Sequence, residues 1–415
     1  MSPSLKHQKV LLAFSGGLDT SAIIPWLKEN YQAEVIAYCS DLGNSPDGES
    51  LRQWAHKLGA SDFIFEDLKE TFAARFAFPS VRAGATYQDD YLLGTSLGRP
   101  LIAERMAYFA KKMGATAIAH GCTGKGNDQL RFERSWAYLV PELSIIAPWR
   151  IWDFKGRGEL LAYLKEKGFD LPAKEKVFSE DVNLFHRSCE GGILESPSEE
   201  FDPKEVYKWV SPLSEINNEP ITVEITFENG IPTKINQRKL SPASLLGMIN
   251  EIAGASGIGV QDIVEERSNG IKSRGIYETP GGTLLHAAVK ALKHLCWERS
   301  LMTTARNLGA QYGEVIYDGF WHTDLRNALE AFFIKASETL TGSVTFKLEK
   351  GQIRFVSRIS DYSLYDTDSV TFEADKTGIH KLAEGYCKII AIKQRQAGMR
   401  DHKTNRFVEI EAPLK

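Results

Sequence analysis

"AFSGGLDTSA", residues 13–22, sets two adjacent glycines, two serines, a threonine and an aspartate between an apolar run and a segment of helical spacing. Val10 to Phe14 reads as a strand, and Thr20 to Asn30 reads as a helix that begins near Leu18. Ser15, Gly16 and Gly17 are left in the turn. Glycine permits positive φ and close approach of backbone to a ligand, and the first turn of a helix carries amides with no internal partner. The helix dipole favours an anion there by about 0.3–2 kcal/mol, and Ser15, Thr20 and Ser21 add hydroxyl donors. The corner suits phosphate. A plainer account makes Ser15 a helix cap and the glycines a tight turn, but one cap leaves the other hydroxyls and the acid unexplained. Pro25 falls in the second turn, where proline costs about 3 kcal/mol in a regular helix; the helix either starts late or kinks.

Outward from this corner, short apolar runs alternate with helical patterns. "AEVIAYCS" (33–40), "DFIFE" (62–66), "TAIAHG" (116–121) and "LSIIAP" (143–148) read as strands. Residues 51–58, 99–114 and 127–140 read as helices. Strands this apolar, separated by helices, imply a mainly parallel sheet covered on both faces. That is a doubly wound α/β domain, whose ligands bind beyond the carboxyl ends of its strands. A boundary is expected near Phe169 to Ala173, where the rhythm becomes mixed. "ITVEITFENGIPTKINQ" reads as a hairpin around Asn229-Gly230, and "SVTFKLEKGQIRFVSRIS" as a second near Lys350-Gly351. Ile379, Leu382, Tyr386 and Ile389 recur at helical spacing, for packing on their own domain or for an oligomer contact.

Composition narrows the classes. The 415 residues can hold two or three domains. Fifty Lys and Arg against 54 Asp and Glu give a net charge of -4, with no basic surplus to announce nucleic acid. Five scattered cysteines suit reduced thiols in a cytosolic chain better than a disulfide framework. No segment has the length and apolarity of a membrane span or secretory core, so a cytoplasmic location is expected.

The type of phosphate site follows by comparison of motifs. A Walker P-loop ending at Gly124-Lys125 would have Ala119 in place of its first glycine and Gly126 in place of its hydroxyl. The dinucleotide glycine pattern is missing from the first turn. S-G-G-x-D-[ST] directly after the first strand resembles the PP-loop of ATP pyrophosphatases, which cut ATP between its α and β phosphates. Three further polar stretches accompany it: "YLLGTSLGRP" (91–100), "HGCTGKGNDQLRFE" (120–133), and a region with Glu265, Lys272, Arg274, Tyr277 and Glu278. Together they argue for a composite site.

These stretches, with "IAPWR" (146–150), "GGILESP" (191–197) and "KSRGIYETPGG" (272–282), resemble the argininosuccinate synthase family, ligases joining citrulline to aspartate. The resemblance implies a HUP-like nucleotide-binding domain over 1–170, an α+β synthetase domain over 171–362, and a C-terminal oligomerisation arm with a helix over 363–415. It implies that ATP is held by Ala13, Phe14, Ser15, Gly16, Gly17, Leu18, Asp19, Thr20 and Ser21, with Ser40 and Gly121. Aspartate would be bound by Thr123, Asn127 and Asp128. Citrulline would be bound by Tyr91, Ser96, Asn127, Arg131, Ser179, Ser188, Glu265 and Tyr277. Ser15, Asp19 and Asp128 would carry the chemistry: the citrulline oxygen attacks the α phosphate, and the aspartate amine then displaces AMP. Mg²⁺ would come with ATP, and no tightly bound protein metal site is expected. A homotetramer is implied, with no nucleic-acid or membrane partner.

Asp19 could orient the loop, help hold Mg²⁺ or cap the helix. Asp128 could accept a proton, but fixing the aspartate ammonium is the preferred role. Rival readings are another PP-loop enzyme, such as a tRNA thiolase or an amidotransferase-linked synthetase, and a nucleotide-sensing module without catalysis. A thiolase generally wants a cysteine pair and a basic face; a glutamine-using relative wants an N-terminal Cys where this chain has Met1-Ser2.

Overall fold

The computed structural model describes residues 7–170, 177–216 and 219–406. Its first sheet holds β1 (Lys9–Ala13), β2 (Glu34–Asp41), β3 (Asp62–Asp67), β4 (Ala117–Ala119) and β5 (Ser144–Ile146), in the order β3-β2-β1-β4-β5. Every pairing is parallel. The period of two explains why the strands are apolar throughout. Val10 and Leu12 enter one core with the helices Leu18–Tyr31, Gly48–Leu58 and Arg157–Glu166. Leu11 enters another with the helices Gly94–Met113 and Asp128–Leu139. Burying both faces of one strand leaves it no polar face.

The strand order reverses direction between β1 and β4, so their carboxyl ends open a crevice. The loops leaving these two strands are the 14–17 corner and residues 120–127. The helix after the corner runs from Leu18 to Tyr31 straight through Pro25, so the late start is excluded. Proline has no amide hydrogen, and the carbonyl of Ser21, one turn earlier, loses its helical donor.

Among the described residues nine further strands follow: β6 (Ser179–Asn183), β7 (His186–Glu190), β8 (Ile221–Glu228), β9 (Ile231–Ile235), β10 (Arg238–Lys239), β11 (Val260–Glu266), β12 (Lys272–Glu278), β13 (Gly342–Glu349) and β14 (Gln352–Ile359). They form two antiparallel sheets, β10-β9-β8-β13-β14 and β11-β12-β7-β6. Both expected hairpins are present, with positive φ at Asn229, Gly230, Lys350 and Gly351, as two-residue turns between twisted strands require.

The largest core joins both halves of the chain. Phe72, Phe76, Tyr91 and Leu97 pack in one cluster with Phe185, Ile225, Leu285, Tyr317 and Phe346. Residues up to Ser363 form one compact unit, and those from Leu364 onward a second. The second unit contains the helices Ile379–Ile390 and Ile392–Lys403. Of the boundary expected near 169–173, residues 171–173 lie outside the described residues.

Candidate active site

The 13–21 corner is not closed by a side-chain cap. The N-cap is Gly17, which has no side chain to offer the first-turn amides. The Ser15 Oγ turns back to accept from the Gly17 amide (3.3 Å) and lies 3.2 Å from the Thr20 Oγ1. Gly16 has φ +73°, which strains any other residue, and a Cβ there would fall 2.3 Å from the Leu51 Cδ2 and push that side chain aside. Asp19 accepts from the Trp149 indole at 3.1 Å. Burial pushes its carboxyl above the usual range, against the attraction of Arg157.

A cavity of about 360 Å³ lies over this corner. Ala13, Phe14, Ser15, Gly17, Asp19 and Thr20 line it, with Ser40 from β2 and Gly121 from beyond β4. Gly16, Leu18 and Ser21 stand behind that surface. The Ser21 hydroxyl is occupied, donating to the Gly16 carbonyl and accepting from the Trp54 indole.

A second cavity, also of about 360 Å³, is lined by Tyr91, Thr123, Asn127, Asp128 and Arg131. Much of the remaining wall comes from one face of a sheet. Pairing sets Asp181 of β6 opposite Ser188 of β7, and Ser188 opposite Tyr277 of β12. Ser179 stands opposite Glu190, and Glu265 of β11 opposite Ser273. Side chains two apart share a face, so Ser179, Asp181, Ser188, Glu190, Tyr277 and Glu265 fall on the same side. All six line the cavity. Ser96 does not; its side chain is wholly buried in the first turn of its helix.

The two cavities share Arg99, Cys122, Asp128, Glu180 and Asp181. Arg99 bridges two carboxylates there: its Nε donates to Asp128 (2.9 Å) and its Nη2 to Asp181 (2.8 Å). The second oxygen of Asp128 accepts from Arg131 at 2.9 Å. Arg131 in turn donates to the Tyr317 carbonyl and stacks over that ring, 5.0 Å from its centroid. Burial opposes ionisation of Asp181, but Arg99 and His186 beside it hold its carboxyl well below the usual range. Glu190 and Glu265 go the other way. Burial raises both, against the pull of Arg267 on Glu190 and of Arg131 on Glu265.

His120 supports the junction from behind. Its Nδ1 accepts from the Cys122 amide (3.2 Å), which leaves Nε2 to donate to Glu133 at 2.9 Å. Glu133 also pairs with Arg150.

Three polar residues named in the sequence lie elsewhere; Lys272 is exposed and pairs with Glu266. Glu278 is fully buried, pairing with Arg187 and accepting from the amides of Lys208, Trp209 and Val210. Arg274 is held by Asp262 and by the carbonyls of Ser196 and Glu199. Conversely, sequence reasoning missed Glu180, Asp181, Glu190 and Arg267. For Asp181 and Glu190 a signal existed: each stands two residues from a named serine on a strand, and so on that serine's face.

Comparison with known proteins identifies the family. The family model of the arginosuccinate synthase N-terminal HUP domain matches residues 9–170, and that of the arginosuccinate synthase C-terminal domain matches residues 178–397. The argininosuccinate synthase of Clostridium tetani is 46% identical over 392 residues, covering 94% of this chain and 98% of that protein. That of Acetivibrio thermocellus is 48% identical over 398 residues, covering 95% and 98%. That of Carboxydothermus hydrogenoformans is 48% identical over 393 residues, covering 94% and 98%. With both halves of the fold matched and near-half identity across almost the whole chain, this protein belongs to the argininosuccinate synthase family.

Proposed function

We infer that this chain is an ATP-dependent carbon–nitrogen ligase that condenses citrulline and aspartate to argininosuccinate, releasing AMP and pyrophosphate. The observation that carries the reading is the meeting of two cavities at Arg99, Asp128 and Asp181. A nucleotide in the first would present its α phosphate toward an amino acid in the second.

The chemistry requires such a junction. A ureido carbonyl is a poor electrophile, so its oxygen first attacks the α phosphate in line and becomes part of a leaving group. Pyrophosphate departs toward the Ser15–Ser21 corner, where backbone amides and hydroxyls receive it. The aspartate amine then attacks the ureido carbon of citrullyl-AMP, and AMP leaves. Positioning and charge neutralisation account for most of such a transfer. Thr123, Asn127 and Asp128 would hold aspartate; Tyr91, Asn127, Arg131, Ser179, Ser188, Glu265 and Tyr277 would hold citrulline. Ser96 would act from behind that wall. Asp128, held between two guanidinium groups, would fix the aspartate ammonium.

A magnesium ion would fit with the nucleotide, because such ions take few protein ligands and several from phosphate. Asp19, with one oxygen bound to Trp149 and the cavity before it, would hold it. Bound there, the ion would neutralise charge on the β and γ phosphates. Among the described residues no cluster of three or more His, Cys, Asp or Glu offers a metal cage.

The reading includes the division 1–170, 171–362 and 363–415, a cytoplasmic location and a homotetramer. In support of self-association, Leu382, Tyr386 and Ile389 recur on one side of the helix Ile379–Ile390 and are 66–70% exposed. No helix among the described residues is long and apolar enough to cross a membrane.

The test is pyrophosphate release with citrulline and aspartate omitted in turn, together with ¹⁸O in the citrulline ureido group. Label should appear in AMP. Unlabelled AMP, or release that ignores both amino acids, would reject the reading.

A further inference from the structure

The "TGKGN" loop (123–127), which would receive aspartate, has little internal structure. A Cβ at Gly124 would meet nothing within 4 Å, and one at Gly126 nothing closer than 3.9 Å. The one bond between backbone groups inside it runs from the Gly126 amide to the Thr123 carbonyl, at 3.3 Å. Two glycines with open surroundings make a permissive backbone, so its shape must be imposed from outside.

One restraint comes from the helix that follows, where the Gln129 side-chain amide donates to the Gly124 and Gly126 carbonyls (2.8 and 3.2 Å). The long-range one comes from the turn between β11 and β12, more than 140 residues away in sequence. Arg267 Nη1 donates to the Lys125 carbonyl (3.2 Å), which also accepts from the Asn269 amide group (3.3 Å). The Ser268 amide donates to the Asn127 Oδ1 at 3.1 Å. Arg267 Nη2 reaches the other way, to the Glu190 Oε2 (2.7 Å) and the Ser273 Oγ (2.9 Å). One guanidinium thus ties the loop to the sheet wall facing it. The turn is closed beneath it by bonds from the Arg267 amide to the Ile271 carbonyl and from the Gly270 amide to the Arg267 carbonyl. Arg267 lines the amino-acid cavity and an outer cavity beside it, but not the nucleotide cavity.

We propose that Arg267 is a positioning residue for the amino-acid substrates, fixing the 123–127 loop against Glu190 so that Thr123, Asn127 and Asp128 meet aspartate in register. The proposal rests on the function inferred above. It is specific to arginine, because only a planar fork satisfies the loop carbonyl and the carboxylate together.

The experiment compares the full-length wild type with Arg267→Ala, Arg267→Lys and Ser273→Ala. KM is measured separately for ATP, citrulline and aspartate, and citrulline-dependent ATP–pyrophosphate exchange is followed without aspartate. Arg267→Ala should raise KM for aspartate about tenfold or more while KM for ATP stays within about twofold, with exchange retained. Arg267→Lys, which keeps one contact at a time, should fall between. Ser273→Ala, which frees the guanidinium without removing it, should raise KM for aspartate about twofold to threefold. A KM for ATP that rises in step with that for aspartate, or three unchanged constants in Arg267→Ala, would overturn the proposal. If Arg267→Ala does not fold, unchanged constants in Arg267→Lys and Ser273→Ala would overturn it equally. Wild type that forms no AMP from citrulline and aspartate would reject the function itself, whereas active wild type with an indifferent Arg267→Ala rejects only the positioning role.

Discussion

The 13–21 corner and the cavity lined by Tyr91, Asn127 and Tyr277 differ in construction. The corner is one stretch, Ala13 to Ser21, whose glycines and hydroxyls act through backbone they themselves shape. The second cavity draws Tyr91, the 123–131 loop and helix, four strands of an antiparallel sheet and the Arg267 turn into one wall. A site made of contiguous backbone is specified locally and tolerates distant change. A site made of converging side chains depends on every element that carries one. Substitutions on the two sides should therefore differ in kind.

The largest effect is expected at the seam. Asp128→Asn removes the carboxylate shared by Arg99 and Arg131, leaving two buried guanidinium groups without their common partner. Turnover should fall about a thousandfold, with KM for ATP and for aspartate both raised, and urea denaturation should show a loss of about 3 kcal/mol. An ATP KM that does not move would mean that the cavities are not joined at this residue.

Ser15→Ala tests the corner alone. Loss of one hydroxyl should lower kcat about a hundredfold with melting temperature unchanged, because the Ser15 contacts are exposed. Unchanged turnover would remove the pyrophosphate role from the corner.

Glu265→Gln separates function from stability. Burial raises the folded carboxyl above its unfolded value, so the folded state binds more protons between those two values. The contribution of Glu265 to stability is full below the unfolded pKa and is lost as pH rises through the folded one. The neutral amide removes that loss. The variant should melt higher than wild type at pH 8, match it near pH 4, and bind citrulline more weakly. A variant less stable at pH 8 would reverse the sign of the argument.

The smallest effect is expected at Lys272→Ala. This lysine is 62% exposed and pairs only loosely with Glu266 at 3.2 Å. Surface pairs contribute about 0–1 kcal/mol, so turnover and melting should barely change. A large loss of turnover would bring the β12 entry into the site and blur the contrast.

The two regions also differ in how readily they are read from sequence. The doubly wound sheet is legible because both faces of β1 and β2 are buried, which leaves uniformly apolar strands between amphipathic helices. The hairpins at Asn229-Gly230 and Lys350-Gly351 are legible because two residues at positive φ have a chemical signature. Ser179 and Ser188 emerged only from family resemblance. Their neighbours Asp181 and Glu190 were legible only through those serines, because nothing else in a five-residue polar strand says which face will meet a cavity. Arg267 was hidden for a related reason: a turn arginine reads as a solvated charge until the loop it holds is placed beside it.

Sequence alone determined the strand–turn–helix corner, since the positive φ that Gly16 permits and the amides of an adjoining helix are properties of neighbouring residues. It also determined the alternation that forces a covered parallel sheet. Tertiary structure alone decided that Gly17 rather than Ser15 stands at the N-cap, that Arg99 joins Asp128 to Asp181, and that a distant turn clamps the glycine-rich loop. Those contacts link residues about 30 to more than 140 positions apart. Chain entropy opposes such closures, and only a shared core that brings the segments together anyway can hold them.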